Sequence, residues 1–74
     1  MNCKINFLWD NDAAVWIATS PDVPGLMLES GSLDALIERV KFATPELMEL
    51  NGIKPENLKM SFIAKREDKI IVNG

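Results

Sequence analysis

The side chains that could do chemistry are few, and most are carboxylates. Asp10, Asp12, Asp22 and Glu29 fall within twenty residues. Converging from rigid strands, such acids could hold two divalent cations for phosphodiester hydrolysis. Asp10 and Asp12, however, belong to Asp10-Asn11-Asp12-Ala13, a run in which Asp and Asn favour turns by bonding their own backbone. Asp10-Asn11-Asp12 also opens like a calcium loop, but the glycine and the closing glutamate are missing. Histidine is absent and Cys3 is the single cysteine, which removes zinc sites, Cys–His and Ser–His catalysis and imidazole switching. Ser30, Ser32 and Ser61 have no base to activate them, and Cys3 reads as a small buried hydrophobe. The expectation is therefore a non-enzymatic chain with no metal and no cofactor.

Charge points the same way. The chain carries a net −3 with a pI near 4.7, and it lacks the basic stripe that phosphate backbones need. Direct nucleic-acid binding is not expected. The acidity is concentrated early: over residues 1–34, Lys4 stands alone against Asp10, Asp12, Asp22, Glu29 and Asp34. Such a surface steers basic partners, although it can also be no more than a solvated face.

The elements that position these residues follow from periodicity. Cys3, Ile5, Phe7 and Trp9 alternate with Lys4, Asn6 and Leu8, which predicts a strand over residues 3–9. A second strand, residues 14–19, follows the polar turn and completes a hairpin. Two registers compete. Pairing Trp9 with Ala14 would set Phe7 opposite Trp16. Pairing Trp9 with Val15 sets Phe7 opposite Ile17 and leaves Leu8 opposite Trp16 on the outer face. The second is preferred because it gathers Ile5, Phe7 and Ile17 into the stronger core face. Trp16 then becomes an uncovered anchor beside Leu8, rimmed by Asp10, Asp12, Asp22 and Glu29. In the competing reading Trp16 faces the core.

Pro21, Pro24 and Gly25 make residues 20–25 a shaped connection and not a central strand. A third strand is expected over residues 26–29. Ser32 is the candidate cap of a helix whose stripe is Leu33, Leu36, Ile37 and Val40. Pro45 is expected to break or kink it into pieces near 33–43 and 45–51, with Thr44 capping the second piece and Asn51-Gly52 stopping it. A fourth strand, Leu58 to Ala64, and a short fifth strand or apolar tail, Ile70 to Val72, complete a single α+β domain over residues 1–74. There is no signal-peptide pattern and no apolar run of membrane length, and one cysteine fits a reducing cytoplasm.

These motifs have a family counterpart. Trp9-Asp10, Val15-Trp16-Ile17-Ala18, Ser20-Pro21-Asp22-Val23-Pro24-Gly25-Leu26 and Glu29-Ser30 through Leu36 resemble the HicB-like antitoxin superfamily. Pro45-Glu46-Leu47 to Asn51-Gly52 is similar to a bacterial sister family of short uncharacterised proteins. The resemblance covers residues 3–52. It implies a partial ribonuclease-H-like fold without nuclease activity. In that fold a three-stranded antiparallel sheet is crossed by the helix, and the fourth strand lies beside the first. It also implies a protein-binding role in a toxin–antitoxin system, blocking a small basic RNA-cleaving toxin. Family members usually add a C-terminal DNA-binding segment, for which residues 66–74 offer no counterpart. The other expected role is self-association into a homodimer with no toxin partner.

Overall fold

The computed structural model describes residues 1–73, with the element order β1 (Asn2–Asp10), β2 (Val15–Thr19), β3 (Met27–Ser30), α1 (Leu33–Leu50) and β4 (Lys59–Lys65). The four strands form one mixed sheet in the order β3-β2-β1-β4. The first three strands are an antiparallel meander, and β4 joins β1 in parallel after the chain crosses over through α1. The α+β expectation holds: the three antiparallel strands and the fourth strand expected beside the first make one sheet, which is four-stranded and mixed. No fifth strand forms at residues 70–72, which lack regular structure.

The hairpin register differs from the preferred one. Trp9 pairs with Trp16, Phe7 with Ala18, Leu8 with Ile17 and Asp10 with Val15. Paired residues share a face, so Ile5, Phe7, Trp9, Trp16 and Ala18 look toward the helix, and Leu8, Val15 and Ile17 look away. The turn sets this register. The Asp10 carboxylate accepts the backbone N–H groups of Asp12 at 3.0 Å and Ala13 at 3.2 Å. Ala14 takes φ +53° and closes a four-residue loop, so β2 starts at Val15. The small Ala18, fully buried, sits on the helix side where Ile17 was expected.

The connection after β2 replaces ladder bonds by side-chain ones. Ser20 Oγ donates to the Lys4 carbonyl at 2.6 Å, and the Lys4 N–H donates to Asp22 Oδ2 at 2.7 Å. Val23-Pro24-Gly25-Leu26 is a turn with Pro at its second position and Gly25 at φ +79°, closed by Leu26 N–H to the Val23 carbonyl at 3.2 Å. It plants Val23 and Leu26 in the core.

The helix is continuous through Pro45. The carbonyl that Pro45 leaves without a partner belongs to Lys41, on an exposed turn where water can reach it. Thr44 does not cap a second helix: its hydroxyl donates back to the Val40 carbonyl at 2.7 Å, fully buried. Leu36, Val40, Thr44 and Met48 form the buried row at a spacing of four, with Leu33, Ile37 and Leu47 half-buried beside it. Packing along this row overrides the local signal of the proline. Ser32 Oγ accepts the Ala35 N–H at 3.2 Å at the N-terminus. At the other end Gly52, φ +73°, donates to the Glu49 carbonyl and Ile53 to that of Met48, a Schellman closure. Cys3, Ile5, Phe7, Ala18, Val23, Leu26, Leu36, Val40 and Met48 make the core.

Candidate functional site

The helix packs over β2 and β3 on one side of the sheet, and among the described residues the other side carries no element. The registers place its residues in rows. One row reads Glu29, Ile17, Leu8, Lys65 across the four strands, and the next reads Met27, Thr19, Asn6, Ile63. Leu8 is 58% exposed, Met27 72% and Ile63 48%, with Ile17 half-buried between them. The face is thus an apolar centre on a rigid sheet, acidic along β3 and at the hairpin tip, and basic along β4, where Lys59 and Lys65 stand.

The residues expected to act together are divided by this geometry. Leu8, Asp10 and Glu29 lie on the bare face, and Asp12 is exposed at the hairpin tip. Trp16 does not share that face. It lies on the helix side, partly buried, with its ring 5.4 Å from that of Trp9. Asp22 sits at the far end of β1, held by the Lys4 N–H. Pattern reading missed Ile17, Met27 and Ile63. The signal for Met27 and Ile63 was there in the alternation of β3 and β4, but the register decides which face receives them.

A tryptophan cluster occupies the hairpin tip on the helix side. Trp9 Nε1–H donates to Asn11 Oδ1 at 2.7 Å, and the Arg66 guanidinium stacks 4.1 Å above the Trp9 ring. Cys3 is buried, and burial together with the Asp22 carboxylate raises its thiol pKa. That is the opposite of what a nucleophilic thiolate needs. Among the described residues, no three His, Cys, Asp or Glu side chains gather to hold a metal ion. Among the same residues, no helix is long and apolar enough to cross a membrane.

These features define a class: a small α+β domain whose sheet is covered by a helix on one face and presents an apolar, charge-rimmed surface on the other. Residues 2–73 match the family model described as a domain of unknown function, DUF1902, and the chain belongs to that family. It is also similar to the crystal structure of a hypothetical protein from the extreme thermophile Thermus thermophilus, with 37% identity and a TM-score of 0.82 over 95% of this chain and 100% of that one. Among curated proteins, none matches the chain.

Proposed function

We propose that this domain is a non-catalytic protein-binding module that works as the toxin-neutralising domain of HicB-like antitoxins does, docking a small basic RNA-cleaving protein. The observation that carries the reading is the uncovered sheet face, where Leu8, Ile17, Met27 and Ile63 form an apolar centre between Glu29 and Lys65. Apolar anchors supply affinity and charged rims supply on-rate and orientation. A basic partner approaches from the β2–β3 side, where Asp10, Asp12 and Glu29 lie, and avoids the lysines of β4. The resemblance of the motifs from Trp9 to Leu36 to those of HicB-like antitoxins suggests the kind of partner.

The test is to look for a short basic protein encoded beside this chain and to co-express the two. Growth arrest by that neighbour, relieved by this chain and not by its Leu8→Glu variant, is the expected result. A neighbour that arrests growth regardless of this chain sinks the reading. Asp10→Asn is a poor probe of charge, because the turn uses that carboxylate. Asp12→Asn with Glu29→Gln is the clean one, and it should slow association and flatten its salt dependence.

A further inference from the structure

Three of the least covered apolar residues in the described chain lie beyond the last strand. Ile70, Ile71 and Val72 are 82%, 89% and 80% exposed. They do not fold back: the molecule measures 57 × 19 × 18 Å, and its radius of gyration is 14.7 Å, against about 11 Å for a compact chain of this length. The segment leading to them is extended. Lys65 pairs with Glu67 and Arg66 with Asp68, each at 3.1 Å, and residues two apart meet when a chain runs as a strand. Arg66 over Trp9 continues the register that sets Ala64 beside Phe7. β4 is also an edge strand of the sheet, as β3 is at the other side, and its Phe62 and Ile63 are 39% and 48% exposed. A long edge ending in a β-branched apolar segment is a template for another strand.

We propose that the occupant of this edge is a second copy of the chain, paired antiparallel through residues 62–72 about a two-fold axis at Glu67. A two-fold axis normal to a sheet pairs residues whose numbers sum to an even value, so the centre must fall on a residue. With Glu67 at the centre, Arg66 meets the partner's Asp68, Ala64 the partner's Ile70, Ile63 the partner's Ile71 and Phe62 the partner's Val72. Every apolar tail residue meets an apolar residue of β4, and both Arg–Asp pairs are of opposite sign. Glu67 meets its own copy and Lys65 the partner's Lys69, and each Glu67 carboxylate lies diagonal to those lysines. A centre on Arg66 sets Ile63 against the partner's Lys69 and Ala64 against the partner's Asp68. A centre on Asp68 sets Lys65 against the partner's Ile71. The Glu67 register alone matches charge on helix-side positions and apolar side chains on both faces. The two sheets become one, with the Leu8 surfaces of both copies on the same side. This dimer does not rest on the toxin reading.

Sedimentation of the full chain across the micromolar range tests it. The expected species has twice the 8.3 kDa mass of the chain. Lys59 donates its N–H to Met1, so the even-numbered residues of β4 and its extension turn theirs to the open edge. Ile70→Pro, which removes the donor aimed at the partner's Ala64, should weaken the dimer about tenfold or more without changing the circular dichroism of the domain. Leu8→Glu should leave it intact. Arg66→Asp and Asp68→Arg should each be monomeric alone and pair with one another when mixed. A wild-type monomer at high micromolar concentration, whether its tail is free or folded back on β4, overturns the proposal. So does a dimer that survives Ile70→Pro, or charge-swapped chains that fail to pair.

Discussion

The two faces of the sheet are made from the same strands and from similar residues, yet they have opposite fates. Along β1, Cys3, Ile5 and Phe7 are fully buried while Leu8, one residue on, is 58% exposed. On β2, Ala18 is buried and Ile17 is on the open side. The helix face selects residues for fit: the small Ala18 leaves room for the row Leu36, Val40, Thr44 and Met48. The open face keeps larger side chains than solubility needs. Strand parity therefore assigns stability to one set of side chains and leaves the other set free for the recognition proposed above.

Substitutions on the two faces should diverge most sharply at Leu36 and Leu8. Leu36→Ala leaves a cavity in the buried row and should cost about 2–5 kcal/mol, a large part of the stability of a chain this small. Leu8→Ala should change stability by no more than about 0.5 kcal/mol. Thermal unfolding of the pair measures the contrast, and equal melting temperatures would remove it.

Trp16 is the next test. Half-buried on the helix side against Trp9, it should cost about 2 kcal/mol when replaced by alanine, less than a fully buried aromatic. If Trp16 stood on the open face instead, Trp16→Ala would weaken partner binding and leave denaturant unfolding unchanged.

The extent to which these faces were legible in the sequence follows from what each element depends on. The Ser32 cap, the Gly52 stop, the buried Leu36 and Val40 and the turn at Asp10 depend on local chemistry, and all were readable. The register was not. Both faces of β1 and β2 carry apolar residues, so choosing the stronger apolar face favoured Ile17 over Ala18, whereas the helix required the smaller residue. The break expected at Pro45 failed for a related reason: a proline is a local signal, and the row from Leu36 to Met48 is a tertiary one. The candidate site suffered most, because moving Trp16 to the other face separates it from Leu8. The grouping of Asp22 with Glu29 rested on nearness in sequence, and the sheet holds them apart.

Cys3 sharpens the covered side through pH. Its thiol pKa is raised by burial first and by the Asp22 carboxylate second. The folded chain therefore keeps its proton at pH values where the unfolded chain has lost it. That contribution is whole below the ordinary thiol value and declines as pH rises through the window up to the raised one. Chemical unfolding followed between neutral and strongly alkaline pH should show the decline, and Cys3→Ala should show a shallower one. Parallel slopes would mean that the thiol is not desolvated by folding.

The smallest expected effect bears on the register itself, and its sign decides between the alternatives. In the observed hairpin Asp10 pairs with Val15, and Ala14 is forced to φ +53°, where its Cβ crowds the following carbonyl at a cost of roughly 1–2 kcal/mol. Glycine adopts that conformation without the clash but loses more backbone entropy on folding. The net for Ala14→Gly is a gain of up to about 1 kcal/mol. In the register that pairs Trp9 with Val15, Ala14 would sit opposite Asp10 as an ordinary strand residue. Replacing it by glycine would then cost about 0.5–1 kcal/mol. A denaturant midpoint that rises supports the four-residue loop and with it the division of residues between the faces. A midpoint that falls would return Ala14 to the strand and require the faces to be reassigned, beginning with Leu8 and Trp16.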